Sequence, residues 1–393
     1  MILTQCPCCA APLPPTSAKQ CSRCKTRYCG PACQKKHWEE GGHDKLCRKI
    51  RKGGGAEQYH ANTKYAEAVA VAAEACADDV KGQTCFICTQ ALHWKTKEGL
   101  VRGCSCRGTA GFAHVSCLAE QAKILVAEVE DSNLDLKVKR ARWGRWSTCS
   151  LCEQRYHGAV ACALGWACWN TYAGRPETDT PQQLAMNLLG VGLYQAQHLE
   201  EALSVREAAL SMARRLGGPA EHILTLQGNL ANLYGQLGQK EPALRLRRDV
   251  YAGTLRLNGE ENEHTLIEAN NYAMNLLDLR RFEEVKSFLR KMLPVAQRVL
   301  TDSHLITLKM RCCLAMALHD DPSATLDNFR EAVTTLEDAT RIARRVLGGA
   351  HPFVEFNELR LLRLRNARAT ARARELNVSS LADELEAMTP GDA

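Results

Sequence analysis

What this sequence lacks narrows its class before any motif is read. Met1 to Pro7 carry Cys6 but no apolar export core, so the chain does not read as secreted. The longest apolar run near the cysteine-rich half, Ala159 to Trp169, is shorter than the about 20 residues a bilayer-spanning helix needs. No membrane span is expected. No nucleophile, acid–base pair or phosphate loop can be picked out, and no catalytic residue is assigned. A basic surface over the whole chain is missing too: residues 1–160 hold 24 Lys and Arg against 15 Asp and Glu, whereas residues 161–393 hold 27 against 29. Metal-bound thiolates would offset part of the first excess, so nucleic acid is not an expected partner.

What is abundant is cysteine. Sixteen of the twenty lie before residue 153, and only Cys162, Cys168, Cys312 and Cys313 follow. With no export signal, clustered thiols point to zinc in a reducing compartment rather than to disulfides. An intracellular location, cytoplasmic or nuclear, is therefore expected. At 393 residues, 45% of them apolar and 24% charged, the chain has room for two or three domains of ordinary soluble composition.

The thiols fall into two arrays. In the first, Cys6-x2-Cys9, Cys21-x2-Cys24, Cys29-x3-Cys33 and His43-x3-Cys47 offer eight ligands. Cys8 competes with Cys9, and His37 with His43. A two-residue spacer suits a zinc-binding turn and His-x3-Cys spans one helical turn, which favours Cys9 and His43. The second array runs Cys85-x2-Cys88, fifteen residues, Cys104-x-Cys106, seven residues, His114-x2-Cys117, then a long insert closed by Cys149-x2-Cys152. Tetrahedral zinc takes four ligands, so these residues predict four Zn2+ ions.

With the string Tyr28-Cys29-Gly30-Pro31-Ala32-Cys33-Gln34-Lys35-Lys36-His37-Trp38, the first array resembles a MYND zinc finger. The resemblance implies that Cys6, Cys9, Cys29 and Cys33 share one ion and Cys21, Cys24, His43 and Cys47 the other. It also implies a groove for proline-containing peptides lined by Ser22, Gln34 and Trp38. Gln34 and Trp38 stand four apart on one helical face, an amide beside an aromatic plate. The alternative is that Trp38 only covers the second zinc. The family's gap before its histidine is shorter by two residues, and Gly41-Gly42 accounts for the excess.

The second array resembles the RING-CH, or RING-variant, finger of membrane-associated ubiquitin ligases. The resemblance implies interleaved sites, Cys85, Cys88, His114 and Cys117 on one ion and Cys104, Cys106, Cys149 and Cys152 on the other. It also implies that Ile87 touches a ubiquitin-conjugating enzyme. Two departures weaken that implication: Gln121 stands where the family has tryptophan, and Glu153 where it has a basic residue. Losing an aromatic anchor can cost about 2 kcal/mol. Closed four-ligand sites leave no position for water, so zinc-catalysed hydrolysis is not expected.

The insert opens with a helical pattern from Leu118 to Glu130, with Leu118, Ala122, Leu125, Val126 and Val129 on one face. It continues with basic and aromatic residues interleaved from Lys137 to Trp146. Such a stretch can stack on RNA, but a basic face with its tryptophans packed on the finger is favoured.

Past Asp179 the register becomes helical. Asn229 to Leu244 aligns with Asn271 to Lys286 at an offset of 42 residues, as does His222 with His264; earlier and later copies lie near His198 and His304. A period near 40 with paired helices marks a solenoid, and the pattern resembles tetratricopeptide repeats of the kinesin-light-chain type. The small residues Ala202, Ala231, Ala243 and Ala273 fit close helix contacts, and Leu230, Leu233, Leu276 and Phe282 fit the core. The histidines are read as capping or packing at loop boundaries rather than as metal ligands.

The expected fold is mainly α: two small zinc-stabilised fingers followed by an α-helical repeat solenoid. Its divisions are a MYND-type finger over 1–50, a helical spacer over 51–80 after a Gly-rich linker, a RING-CH-like finger over 81–160, a connector over 161–178, repeats ending in a polar-faced capping helix over 179–378, and a tail over 379–393. The expected function is a zinc-binding interaction adaptor that could act as a ubiquitin ligase. A non-catalytic peptide-binding scaffold is the alternative, and RNA binding stands third.

Overall fold

The structure is a computed structural model that describes residues 5–11, 13, 18–130 and 134–366. The chain divides into two compact units between Leu226 and Gln227.

The first unit begins with a two-stranded antiparallel ribbon, β1 (Lys19–Gln20) and β2 (Arg27–Tyr28), followed by α1 (Pro31–Glu39) and α2 (His43–Lys52). Cys6, Leu13, Cys21, Cys24, Tyr28, Cys47 and Ile50 form its small core. So little apolar surface cannot hold a fold of this length, and metal ligation has to supply the rest.

The expected linker is instead a hydrogen-bonded turn: Gly55 N–H donates to the Ile50 carbonyl and Ala56 N–H to that of Cys24, at 3.0 and 2.9 Å. Nor is α3 (Ala56–Ala75) a free spacer. Ala61, Val69 and Ala72 are buried on it, and Val69 and Ala72 join Leu100, Val101, Phe112, Val115, Leu118, Tyr156, Val160 and Leu164 in one core. The alanine-rich sequence that suggested a spacer is what lets this helix pack closely.

The insert forms α4 (Val115–Glu130) and α5 (Leu136–Trp143). Leu118, Ala122, Val126 and Val129 are buried as the pattern predicts. The tryptophans pack inward: Trp146 is buried, and the rings of Trp143 and Trp146 lie 5.5 and 6.0 Å from Tyr172.

The expected connector is the central helix of this unit, α6 (Gly158–Tyr172). Val160, Leu164, Trp166, Cys168, Trp169 and Tyr172 are all buried, as befits a helix apolar on every face. It packs on α3, α4 and α7 (Thr180–Gln195). A Cβ on Gly192 of α7 would stand 2.6 Å from the Ala161 carbonyl oxygen, so only glycine allows this approach. Because α6 serves both neighbours, the hairpin of α7 and α8 (Leu199–Arg215) belongs with the fingers, and the units divide within α9 (Ala220–Gln236) rather than at the expected connector.

In the second unit α10 (Lys240–Asn258), α11 (Glu263–Asp278), α12 (Phe282–Leu300), α13 (Leu305–Asp320) and α14 (Leu326–Leu347) pack as successive neighbours. All four expected small residues and all four expected core residues are buried. His304 caps α13, its Nδ1 accepting from Ile306 N–H at 3.3 Å. Residues 352–366 are helical, and their outer face is mixed rather than wholly polar, with Glu355, Arg363 and Arg365 exposed on it. Phe356, Leu359 and Leu362 are exposed, while Val354, Asn357 and Leu364 face inward. The rest of the expected capping helix and the tail lie outside the described residues. No helix among the described residues is long and apolar enough to cross a membrane.

Candidate metal centres

Four short loops of the chain adopt one conformation. In each Cys-x2-Cys the first cysteine's carbonyl accepts from the N–H four residues on: Ala10 to Cys6, Lys25 to Cys21, Thr89 to Cys85 and Glu153 to Cys149, at 2.8 to 3.1 Å. Each first cysteine's own N–H donates to the carbonyl five residues on, Ala11, Thr26, Gln90 and Gln154, at 2.8 to 3.0 Å. Ala10, Lys25, Thr89 and Glu153 all take positive φ, between 56° and 64°, a strained choice for side chains other than glycine. Strain repeated four times at equivalent places marks a built site.

Three of these loops ease their first thiol, Cys6, Cys21 or Cys85, toward ionisation. Ile87 N–H points at Cys85 Sγ and Leu151 N–H at Cys149 Sγ, both at 3.4 Å. At Cys6, burial opposes ionisation, but backbone N–H groups of Cys29, Cys8 and Cys9 outweigh it and bring the thiol down to about 6. Burial likewise opposes ionisation of Cys85, and backbone donors outweigh it.

The loops meet in the expected combinations. Cys6, Cys9, Cys29 and Cys33 converge, as do Cys21, Cys24, His43 and Cys47; Cys85, Cys88, His114 and Cys117; and Cys104, Cys106, Cys149 and Cys152. Within each group all ligand atoms lie within 4.8 Å of one another. Sulfurs stand 3.5 Å apart in Cys9–Cys29, and 3.8 Å apart in Cys21–Cys47 and Cys106–Cys149. Zinc–sulfur bonds of about 2.3 Å at tetrahedral angles place sulfurs about 3.8 Å apart, whereas a disulfide needs about 2.05 Å. All twenty cysteines are free thiols. Two groups offer four thiols each, and two offer three thiols with one imidazole. Both donor sets are those of structural zinc, so each group could hold one ion.

The histidines are prepared as neutral ligands. Burial lowers the affinity of both His43 and His114 for a second proton. His114 Nε2 lies 3.4 Å from the Ala91 carbonyl, which fixes the proton there, while Nδ1 lies 3.4 and 3.6 Å from the sulfurs of Cys88 and Cys117. Such an outer contact orients a metal-bound imidazole.

Both competing ligands are set aside. Cys8 is not among the four converging ligands, although its side chain reaches Cys33 from the side. His37 Nδ1 is 3.0 Å from the Tyr28 hydroxyl. The extra glycines have their own work: Gly42, at φ 72°, begins α2, and a Cβ on Gly41 would fall 2.2 Å from the His37 ring.

Residues 85–132 match the RING-variant domain family and residues 6–47 the MYND finger family. The first match stops short of Cys149 and Cys152, which reach their partners only through the fold. No curated protein matches the chain. Among solved structures, BtubC (BKLC) from P. vanneervenii is similar at 15% identity, with 71% of this chain and 92% of that one covered and a TM-score of 0.41. Kinesin light chain TPR-like repeats from Podosopora anserina are similar at 16% identity, with 60% and 98% covered and a TM-score of 0.42.

The chain thus carries two zinc-finger domains, each over residues that converge in metal groups. The other expected site residues lie around the metal groups. Ser22 is exposed on the second loop, and Gln34 is half-buried on α1. Trp38 is 40% exposed, yet its ring stands 5.7 Å from that of His43. Ile87 is exposed on the third loop. Leu151 holds the equivalent place in the fourth and is also exposed; the repeated Cys-x-aliphatic-Cys string could have singled it out. Sequence reasoning missed His93, whose ring lies 5.3 Å from that of His114, and no spacing signals it.

Proposed function

We propose that this protein is a zinc-organised adaptor that works as a RING-type ubiquitin ligase. In this reading the sixteen grouped cysteines and histidines bind four zinc ions. The RING-variant finger recruits a ubiquitin-conjugating enzyme through Ile87, and the MYND finger takes proline-containing peptides between Ser22, Gln34 and Trp38. The helical repeats supply a further surface for target proteins. Ligases of this kind form no covalent intermediate with ubiquitin, so no catalytic cysteine is assigned.

The observation that carries the reading is the convergence of Cys104 and Cys106 with Cys149 and Cys152 across the long insert. It completes the interleaved pair of sites on which a RING surface depends. An exposed aliphatic on each outer loop, Ile87 and Leu151, suits a small apolar contact. Reconstituted autoubiquitination tests it: chains should form with at least one conjugating enzyme and fall at least tenfold in Ile87→Ala. No chains across a broad enzyme panel would favour a scaffold without transfer activity. The half-buried Gln121 on α4 and the exposed Glu153 support that second reading, since neither offers an aromatic or basic contact. The inward packing of Trp143 and Trp146 leaves RNA stacking without support.

A further inference from the structure

Trp94 is 69% exposed and Leu92 59% exposed, on a segment that neither zinc group includes. Two large apolar side chains exposed on one short turn are the kind of patch that marks an interaction site. The segment is not a loose loop. His93 N–H donates to the Glu98 carbonyl at 3.1 Å and Lys97 N–H to the His93 carbonyl at 2.9 Å, with Lys97 at φ 59°. His93 Nδ1 accepts from Thr96 N–H at 3.1 Å and lies 2.8 Å from the Thr96 hydroxyl.

Both ends of this turn are tied down. The preceding Ala91 carbonyl faces His114 Nε2, and the His93 ring packs on the His114 ring. Beyond the turn, the Glu98 carboxylate accepts from the N–H and hydroxyl of Ser116, at 2.7 and 2.8 Å, in the first turn of α4. Lys95 and Lys97 are exposed beside the tryptophan, and no ion pair among the described residues involves either. The backbone that presents a large aromatic, an aliphatic and two cations is therefore set before any partner arrives, which lowers the ordering cost of binding.

We propose that the turn from Leu92 to Lys97 is a docking surface for a short acidic segment of a protein partner, one carrying at least one large apolar side chain. Trp94 and Leu92 cover the apolar side chain while Lys95 and Lys97 meet the carboxylates. The residues proposed here are other than Ile87 and other than those of the MYND groove.

The test uses the zinc-loaded full chain and a fluorescent twelve-residue peptide alternating Glu with Leu and Phe, read by anisotropy. Its controls are the same peptide with Lys for Glu, and with Ser for Leu and Phe. The acidic apolar peptide should bind, and both controls should bind at least tenfold more weakly. Trp94→Ala and the pair Lys95→Glu with Lys97→Glu should each weaken binding at least tenfold, with zinc content unchanged. Trp38→Ala should leave it intact. Unchanged affinity in either the Trp94 variant or the charge-reversed pair would overturn the proposal, as would equal binding of the Lys peptide. So would capture of anionic vesicles or RNA through Trp94 in place of the peptide.

Discussion

Replacing Cys106 by serine removes one donor from the group whose members lie farthest apart in sequence. Its sulfur stands 3.8 Å from that of Cys149, across 43 residues. Around that junction the Thr148–Arg155 bridge, Tyr156 N–H on the Ser147 carbonyl and His157 N–H on the Gly103 carbonyl lead the chain into α6. A structural zinc is worth on the order of 12 kcal/mol, about a nanomolar affinity. If one thiolate carries a quarter of that, its loss costs ~3 kcal/mol, roughly a 150-fold weaker site. Dialysis against a chelator that holds free zinc near ten nanomolar, an order of magnitude chosen from those affinities, should leave four ions per wild-type chain and three per Cys106→Ser chain. Amide exchange should rise over residues 147–157 and stay slow in α11 to α13. Cys162→Ala is the control: its thiol is buried in α6, outside every group, and burial pushes it up to about 11. That variant should keep four ions. Four ions in Cys106→Ser, or three in Cys162→Ala, would refute the assignment of metal to these groups.

Three further outcomes follow from single contacts. Arg247 Nη1 donates to Glu268 at 2.9 Å with both side chains buried, so Arg247→Ala strands a carboxylate and should cost about 3–5 kcal/mol in denaturant unfolding, whereas Arg247→Met with Glu268→Leu should come close to neutral. Trp38→Ala separates its two roles: proline-peptide binding should fall about 30-fold for a groove residue with four zinc ions retained, while loss of an ion instead would show that Trp38 serves only to cover His43. Asp321 accepts from Lys286 Nζ at 2.8 Å and from Ser323, and the Lys286 contact holds its carboxyl well below the usual carboxylate range. Its folded affinity for protons is depressed, so its stabilisation is complete above the unfolded value of about 4 and is lost as pH falls through the folded one. Lys286→Met should flatten the fall in α12 and α13 exchange protection between about pH 5 and pH 2, and an unchanged slope would count against the pair.

The metal groups were legible because zinc imposes its spacing on the sequence itself. Two ligands that bite one ion from a single short loop must stand with one to three residues between them, so each pair could be read from the chain, and the expected groupings coincide with the ones that converge. The repeats were legible for a related reason, since helical pairing imposes a period and places Ala231, Leu233, Ala273 and Leu276 inside. The middle of the chain was not. An alanine-rich helix and an apolar run of medium length carry no spacing that says what they pack against, so α3 and α6 read as spacer and connector when they form the core between finger and hairpin. Gly192 shows the same limit: its need to be glycine comes from Ala161, a residue of another helix.

The zinc loops also bear on how any transfer activity would arise. All four donors of each group are protein atoms, so the ions have no open position with which to polarise a substrate. Activity must then lie in what the loops present. In the third and fourth knuckles the N–H of the residue two past the first cysteine turns toward the sulfur, which leaves the side chains of Ile87 and Leu151 exposed on the outside of the loop. Metal therefore sets the direction of these two aliphatics. Emptying a site would disperse the surface without altering its apolar residues, whereas Gln121, carried on α4, would stay in place. Sensitivity of partner binding to zinc removal, compared between Ile87 and Gln121 variants, thus reports whether the knuckles or the helix make the contact.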